Sequence, residues 1–226
     1  MNAEPLIRCE GAGRSFGTGA AATVALRDVD CEVLPGERIA LMGPSGSGKS
    51  TLLHLMAGLD RPTEGTVSWP AIGDIDALRP GPIALVFQGP SLLPPLTVAE
   101  NVALPLVLGG ERDGVAHKRA LAALERLGLV DLADKLPEEL SGGQAQRVAI
   151  VRGLVGEPRV ILADEPTSQV DRDSAQRVVE LLLAAADASG AALVVTTHDP
   201  LVAEQLDQRW TVADGRVSIP LGVAAC

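Results

Sequence analysis

No segment of this 226-residue chain strings together the roughly 20 apolar residues that a membrane-spanning helix needs. Met1-Asn2-Ala3-Glu4-Pro5 opens with neither a basic flank nor an apolar run, so no signal region is read there. A cytoplasmic protein is expected, one that reaches a membrane only through partners. Basic charge is also short: 19 Lys and Arg stand against 29 Asp and Glu, a net charge of −10. That balance argues against a nucleic-acid partner, whose phosphates demand a basic surface. Cysteine is sparse. Cys9, Cys31 and Cys226 lie far apart along the sequence without a C-x-x-C pair, which suits a reducing compartment and supplies no metal site. Cys226 is read as an ordinary free thiol, because a prenylation signal needs its Cys four from the end. Aromatics are fewest: two Phe, two Trp and no Tyr, so an aromatic at a telling position is less apt to be incidental. Neither an internal repeat nor a low-complexity linker divides the chain. Its length suits one domain with a full core, with room for an inserted subdomain.

What is present is glycine in a pattern. Gly43-Pro44-Ser45-Gly46-Ser47-Gly48-Lys49-Ser50 fits G-x-x-x-x-G-K-[ST] without a mismatch, after the strand-like run Arg38-Ile39-Ala40-Leu41-Met42. Beyond it, Leu52, Leu55, Met56 and Leu59 recur on one face of an expected helix. A strand, a tight loop and a helix aim consecutive N–H groups and the positive end of a helix dipole at a phosphate chain. Gly43, Pro44, Ser45, Gly46, Ser47, Gly48, Lys49, Ser50 and Thr51 are the expected phosphate-binding residues. Lys49 would reach the terminal phosphates and Ser50 would ligate Mg²⁺. The loop alone is shared by kinases, GTPases and motors.

A second segment narrows the choice. Leu140-Ser141-Gly142-Gly143-Gln144, continued by Ala145-Gln146-Arg147-Val148-Ala149-Ile150, resembles the signature of ATP-binding cassette (ABC) ATPases. A serine and two glycines opening a helix make another anion-binding end, and Val148, Val151 and Val155 recur at helical spacing behind them. The resemblance implies that Ser141, Gly142, Gly143 and Gln144 bind the γ-phosphate of ATP held by a partner subunit, so that two copies, or this chain and a homologous ATPase, pair head to tail. Further motifs follow in the family's order. Val160-Ile161-Leu162-Ala163-Asp164-Glu165 is an apolar run ending in two acids, as a buried parallel strand should look. The resemblance gives Asp164 to Mg²⁺ and Glu165 to the attacking water. It makes His198, after the strand-like 193–197, the switch residue on the γ-phosphate. It makes Gln88, after Ile83-Ala84-Leu85-Val86-Phe87, a sensor of Mg²⁺ and water. It gives Asp171, in Ser168-Gln169-Val170-Asp171, a contact with the opposite subunit. Phe16 stands where relatives place an aromatic on adenine, although packing into the core is the competing reading. His54 and His117 are read as structural.

The expected fold class is α/β, a RecA-like P-loop core with an N-terminal antiparallel β-subdomain and an inserted helical subdomain. Residues 1–88 and 159–226 would form the β-subdomain and core, and 89–158 the helical signature subdomain. Val29-Asp30-Cys31-Glu32-Val33 alternates like an antiparallel strand, and Asp214-Gly215 marks a closing hairpin. Leu121, Leu124 and Leu127 mark one helix face, and Val178, Leu181, Leu182 and Ala185 another.

Within the family, residues 58–63 and 92–106 look most like the ATPase subunits of lipoprotein-releasing and macrolide-export complexes. ATP and Mg²⁺ are the expected cofactors and an integral membrane permease the expected partner. The chain would then sit peripherally on the inner face of the membrane, with the apolar, proline-rich stretch 92–108 receiving a permease helix. A mechanically coupled or regulatory ATPase that moves no solute is the alternative. A soluble cassette of DNA repair or translation fits less well, because such chains usually carry two cassettes or a long coiled coil and the charge here is acidic. Four departures from the pattern stand out. Gln169 is unusual in its loop, only Arg79-Pro80-Gly81-Pro82 separates Leu78 from Ile83, Ala145 replaces a common Gln, and Gly153 stands where Ala is usual.

Overall fold

The computed structural model describes residues 3–17, 19 and 22–220; Met1, Asn2 and Cys226, on which two of the readings above fall, lie outside that range. Two sheets carry the fold. Three strands, β1 (Ile7–Phe16), β2 (Thr23–Val33) and β4 (Glu64–Ser68), form an antiparallel layer in the order β2-β1-β4. The second sheet adds β3 (Arg38–Met42), β5 (Ile83–Val86), β6 (Val160–Asp164), β7 (Ala192–Thr197), β8 (Gln208–Ala213) and β9 (Arg216–Ser218), in the order β5-β6-β7-β3-β8-β9. All neighbours in it are parallel except the hairpin β8–β9. That hairpin turns through Asp214 (φ 50°) and Gly215 (φ 75°), two consecutive left-handed residues as a type I′ turn requires.

The strands are apolar on both sides because both faces are covered. Alternate residues of one strand point opposite ways, and they part into two cores accordingly. Ile39 and Leu41 of β3, Val160 and Leu162 of β6, and Ala192 and Val194 of β7 pack with the antiparallel layer and α1 (Lys49–Met56). Ala40, Ile161, Ala163, Leu193 and Val195 face the other side. There they meet α2 (Val98–Leu108), α3 (Asp113–Arg126), α4 (Gly142–Leu154) and α5 (Arg172–Ser189). Each fully buried Leu or Ile stabilises the fold by about 1.5–3 kcal/mol relative to exposure. A last short helix, α6 (Pro200–Ala203), follows β7. Among the described residues no helix is long and apolar enough to cross a membrane.

Helix starts follow their caps. Thr97 accepts from the Glu100 N–H while Glu100 returns a bond to the Thr97 N–H, a capping box that opens α2. Asn101, wholly buried in α2, accepts from the Leu93 N–H and donates to the Leu93, Leu96 and Thr97 carbonyls, pinning the apolar stretch before the helix.

Two expectations, on Leu59 and on the face of α3, need correction. Leu59 does not share the face of Leu52, Leu55 and Met56, because α1 ends at Met56 and Gly58 turns left-handed (φ 64°), leaving Leu59 exposed. The buried face of α3 is drawn by Ala116, Ala120, Ala123 and Leu124; Leu121 and Leu127 are only partly covered, and Leu127 caps the helix. Cys9 and Cys31, distant in sequence, are directly opposed across β1 and β2 as buried free thiols. The hydrogen bond that the Cys31 thiol makes to Cys9, followed by burial, pushes it far above its ordinary range.

Candidate functional site

The carboxyl ends of β3, β5, β6 and β7 converge on one edge of the parallel sheet, where α/β folds of this kind bind ligands. From β3 the chain enters the glycine-rich loop and then α1, whose axis starts at Lys49. The loop is wedged between two sheets. A Cβ on Gly43 (φ 152°) would collide with the Val212 carbonyl, and one on Gly48 (φ 110°) with the Ala25 carbonyl. No other residue fits such an approach.

The Lys49 side chain is only 5% exposed and is folded back on its own loop. Its ammonium donates to the Gly43 carbonyl at 2.9 Å and the Pro44 carbonyl at 3.1 Å, and lies 3.5 Å from Glu165 Oε1. Buried beneath the loop, the Ser47 hydroxyl has no partner among the described residues. An unpaired buried hydroxyl within a glycine-rich loop suits a polar ligand.

Asp164 ends β6 and is buried. Its Oδ1 accepts from the Ser50 hydroxyl at 3.0 Å and from the Thr196 hydroxyl at 2.7 Å. A serine hydroxyl and a carboxylate oxygen so close together form the hard-oxygen pair that a small dication prefers. The next residue, Glu165, takes a left-handed backbone (φ 42°), a conformation that costs a side-chain-bearing residue on the order of 1–3 kcal/mol and persists only where the surroundings impose it. Here the Glu165 N–H donates to Thr196 Oγ1 at 2.7 Å. The turn carries Glu165 to the side that Asp164 faces, and its carboxylate lies between Lys49 and His198, with Oε2 3.5 Å from His198 Nδ1. His198 follows β7 directly and its side chain is 68% exposed. Lys49, Ser50, Asp164, Glu165 and His198 are thus one constellation.

The remaining expected residues stand apart from it. Ser141 caps α4: its hydroxyl accepts from the Gln144 N–H, and the Gln144 amide oxygen accepts from the Ser141 N–H. Ser141 and Gly142 are exposed, offering the start of α4 outward. Gly143 is pressed on Ser174, whose Oγ would lie 2.6 Å from a Cβ placed there. Asp171 caps α5 by accepting from the Ser174 N–H and hydroxyl, and the first of these bonds holds its carboxyl below the usual range. Signature helix and Asp171 loop therefore meet at Ser174. Gln88 is exposed on the loop after the edge strand β5, with β6 and β7 between it and the strand of the glycine-rich loop. Three interstrand spacings put the two strands roughly 14 Å apart. Gln169 lies against Gly89, its Oε1 3.1 Å from where a Cβ would be. Phe16 does not pack into the core: it is 45% exposed at the end of β1. His54 is half-buried in α1 and His117 exposed on α3, both away from the constellation.

Thr196, Ser174, Asn101 and Gln146 escaped the sequence reading. Gln146 is buried, and its amide donates to the Phe87 carbonyl at 3.3 Å just before Gln88. A threonine or glutamine inside an otherwise Val/Leu/Ala buried face is itself a signal, since buried polar groups need partners.

Known proteins resemble the chain along most of its length. The profile of a family described as ABC transporter matches residues 26–168. The lipoprotein-releasing system ATP-binding protein LolD of Shewanella oneidensis is 40% identical over 222 residues, spanning 95% of this chain and 96% of its own. The macrolide export ATP-binding/permease protein MacB of Agrobacterium fabrum is 40% identical over 219 residues, spanning 94% of this chain but 34% of its own. Among solved structures, a dimeric ATP-binding cassette in a post-hydrolysis state, bound to ADP and Pi, superposes with a TM-score of 0.83 at 36% identity, over 96% of this chain and 99% of that one.

Proposed function

The chain belongs to the ABC transporter family and is an ATPase of that family, and from this premise we propose that two copies close head to tail around two ATP and drive a separate membrane permease. One observation carries the proposal. The loop of 43–50, the two acids and His198 are bonded into a single cluster, whereas the start of α4 is exposed, with Ser141 and Gln144 bonded to each other. One chain thus presents two half-sites, and a second copy completes each.

The residues divide the chemistry. Loop N–H groups cradle the phosphates, and Lys49 exchanges the Gly43 and Pro44 carbonyls for the β- and γ-phosphates. Ser50 and Asp164 are the residues that would hold Mg²⁺, which when bound neutralises charge developing on the transferred phosphoryl group. Glu165 accepts a proton from the attacking water, in a place set by the Thr196 bond to its N–H. His198, already beside Glu165, contacts the γ-phosphate, and the partner copy's signature N–H groups face it from the other side. Gln88 lies on the loop that follows β5, the strand beside the one that delivers Asp164, and would join them from that side.

That loop leads to the docking surface. Leu93 and Leu108 are exposed, Leu108 by 69%, and a groove of about 490 Å³ runs between α2 and β5 past Leu104, Pro105, Ile83 and Leu85. A permease helix resting there would place the chain on the inner face of the membrane. Relatives such as LolD and MacB support the reading by name, as a lipoprotein-releasing and a macrolide-export ATP-binding protein. Gentle detergent extraction with this chain as bait tests it. An integral membrane protein is expected to come with it, and to be lost on charge substitution at Leu93 and Leu108 while the isolated chain stays folded. Recovery of no membrane protein, or an unchanged complex in that variant, sinks the proposal.

A further inference from the structure

Phe16 is half exposed in a chain with two phenylalanines, yet it is not free to swing. The Arg14 guanidinium lies over its ring, 4.7 Å from the centroid. Arg14 is held in turn by Asp60, whose Oδ2 accepts from Arg14 Nε at 2.8 Å. Asp60 is itself tethered to α1, the helix that leaves the phosphate loop: its N–H reaches the His54 carbonyl, and its Oδ1 accepts from the Arg61 N–H at 2.8 Å. The strand end that carries the ring runs close to that loop. Phe16 pairs with Thr23, and Ala25, two residues along β2, is the residue whose carbonyl abuts Gly48.

We propose that Arg14 is a positioning residue for the base of ATP: clamped by Asp60, it covers one face of Phe16 and sets the ring upright, so that adenine stacks on the other. The inference rests on the reading of Phe16 as the base platform. Both faces of an aromatic ring carry negative potential, so a cation on one leaves the other open for stacking. The ion pair keeps the guanidinium from being drawn onto the phosphate chain. A ring already held before the nucleotide arrives loses less freedom on binding, which raises affinity through preorganisation.

Titration of ATP against the wild-type chain, Arg14→Ala, Arg14→Lys, Phe16→Ala and the double Ala variant decides the matter, each run in parallel with inorganic triphosphate, which carries phosphates but no base. Arg14→Ala is expected to weaken ATP binding about two- to tenfold. Arg14→Lys, which keeps a cation, should recover part of the loss, and Arg14→Ala should add nothing once Phe16 is gone. Triphosphate affinity should not follow these changes. Unaltered ATP binding by Phe16→Ala removes the platform reading and the inference with it. A loss in Phe16→Ala with none in Arg14→Ala overturns the role of Arg14 alone. So does an Arg14→Ala loss that persists in the double variant or extends to triphosphate.

Discussion

Thr196 holds Asp164 in place: its hydroxyl donates to Asp164 Oδ1 at 2.7 Å from the register-paired position on the neighbouring strand. The same oxygen accepts the N–H of Glu165, so one buried hydroxyl orients both acids. Thr196→Val keeps the shape and removes both bonds. Leaving a buried N–H and carboxylate oxygen short of a partner should cost about 1–3 kcal/mol of stability. Misplacing the acids should lower ATP turnover by up to about 100-fold. Thr196→Ser should retain most of both, and denaturant melts with steady-state ATPase assays on the pair check it. Equal turnover in Val and wild-type proteins would show that the acids need no such brace.

Glu165→Gln should remove the proton acceptor and spare binding, reducing turnover by about 10²–10⁴-fold. Undischarged ATP then bridges two chains, and light scattering should register a dimer with ATP and Mg²⁺ but a monomer without nucleotide. Adding Ser141→Arg fills the space at the exposed start of α4 and should abolish that dimer. Rapid hydrolysis by Glu165→Gln would take this residue out of the mechanism.

Lys49→Ala should weaken ATP binding by about 1.5–3 kcal/mol, roughly 10- to 100-fold, because a charged donor to the phosphates is lost. Folding should survive, since Pro44 is exposed and water can serve the loop carbonyls that Lys49 leaves. Isothermal titration beside a thermal melt separates the two effects. Native ATP affinity in a folded variant contradicts the assignment of the loop.

Gly153 offers a gain. A Cβ on it would rest 3.7 Å from Val86 Cγ2 and 3.8 Å from Ala84 Cβ, ordinary packing distances inside α4. Gly153→Ala should therefore stabilise the protein by about 0.5–1 kcal/mol, the helix-propensity difference. Calorimetry should read this as a melting temperature higher by about 1–4 °C. A lower one would mean that the α4–β5 interface cannot take the methyl group.

The glycine-rich loop, the hairpin at Asp214-Gly215 and the buried parallel strands were legible because each rests on local chemistry: a spacing of glycines, two residues that tolerate positive φ, a short run of Val, Ile and Leu. The contacts between distant segments were not. Nothing within either segment foretold that Cys9 opposes Cys31, because antiparallel register over a long separation depends on bulges such as those between Cys9 and Arg14. The contact of Gly143 with Ser174 likewise belongs to the packing of α4 on α5, and the alanine face of α3 to close helix approach. Adjacent Asp164 and Glu165 could be read as acids at a strand end. The left-handed turn that gathers them was hidden, since such a backbone is set by the Thr196 bond and not by glutamate itself.

Gly43 abuts the carbonyl of Val212 in one sheet and Gly48 that of Ala25 in the other, while the Arg27 N–H bonds to the Gly215 carbonyl and ties the sheets together beside them. The phosphate loop is in this sense a keystone. Tilting the antiparallel layer against the parallel one must deform it, and a nucleotide that tightens it must resist the tilt. ATP affinity in this protein then doubles as a gauge of how its two sheets are seated, readable by any substitution that loosens the joint at Arg27 without approaching the triphosphate.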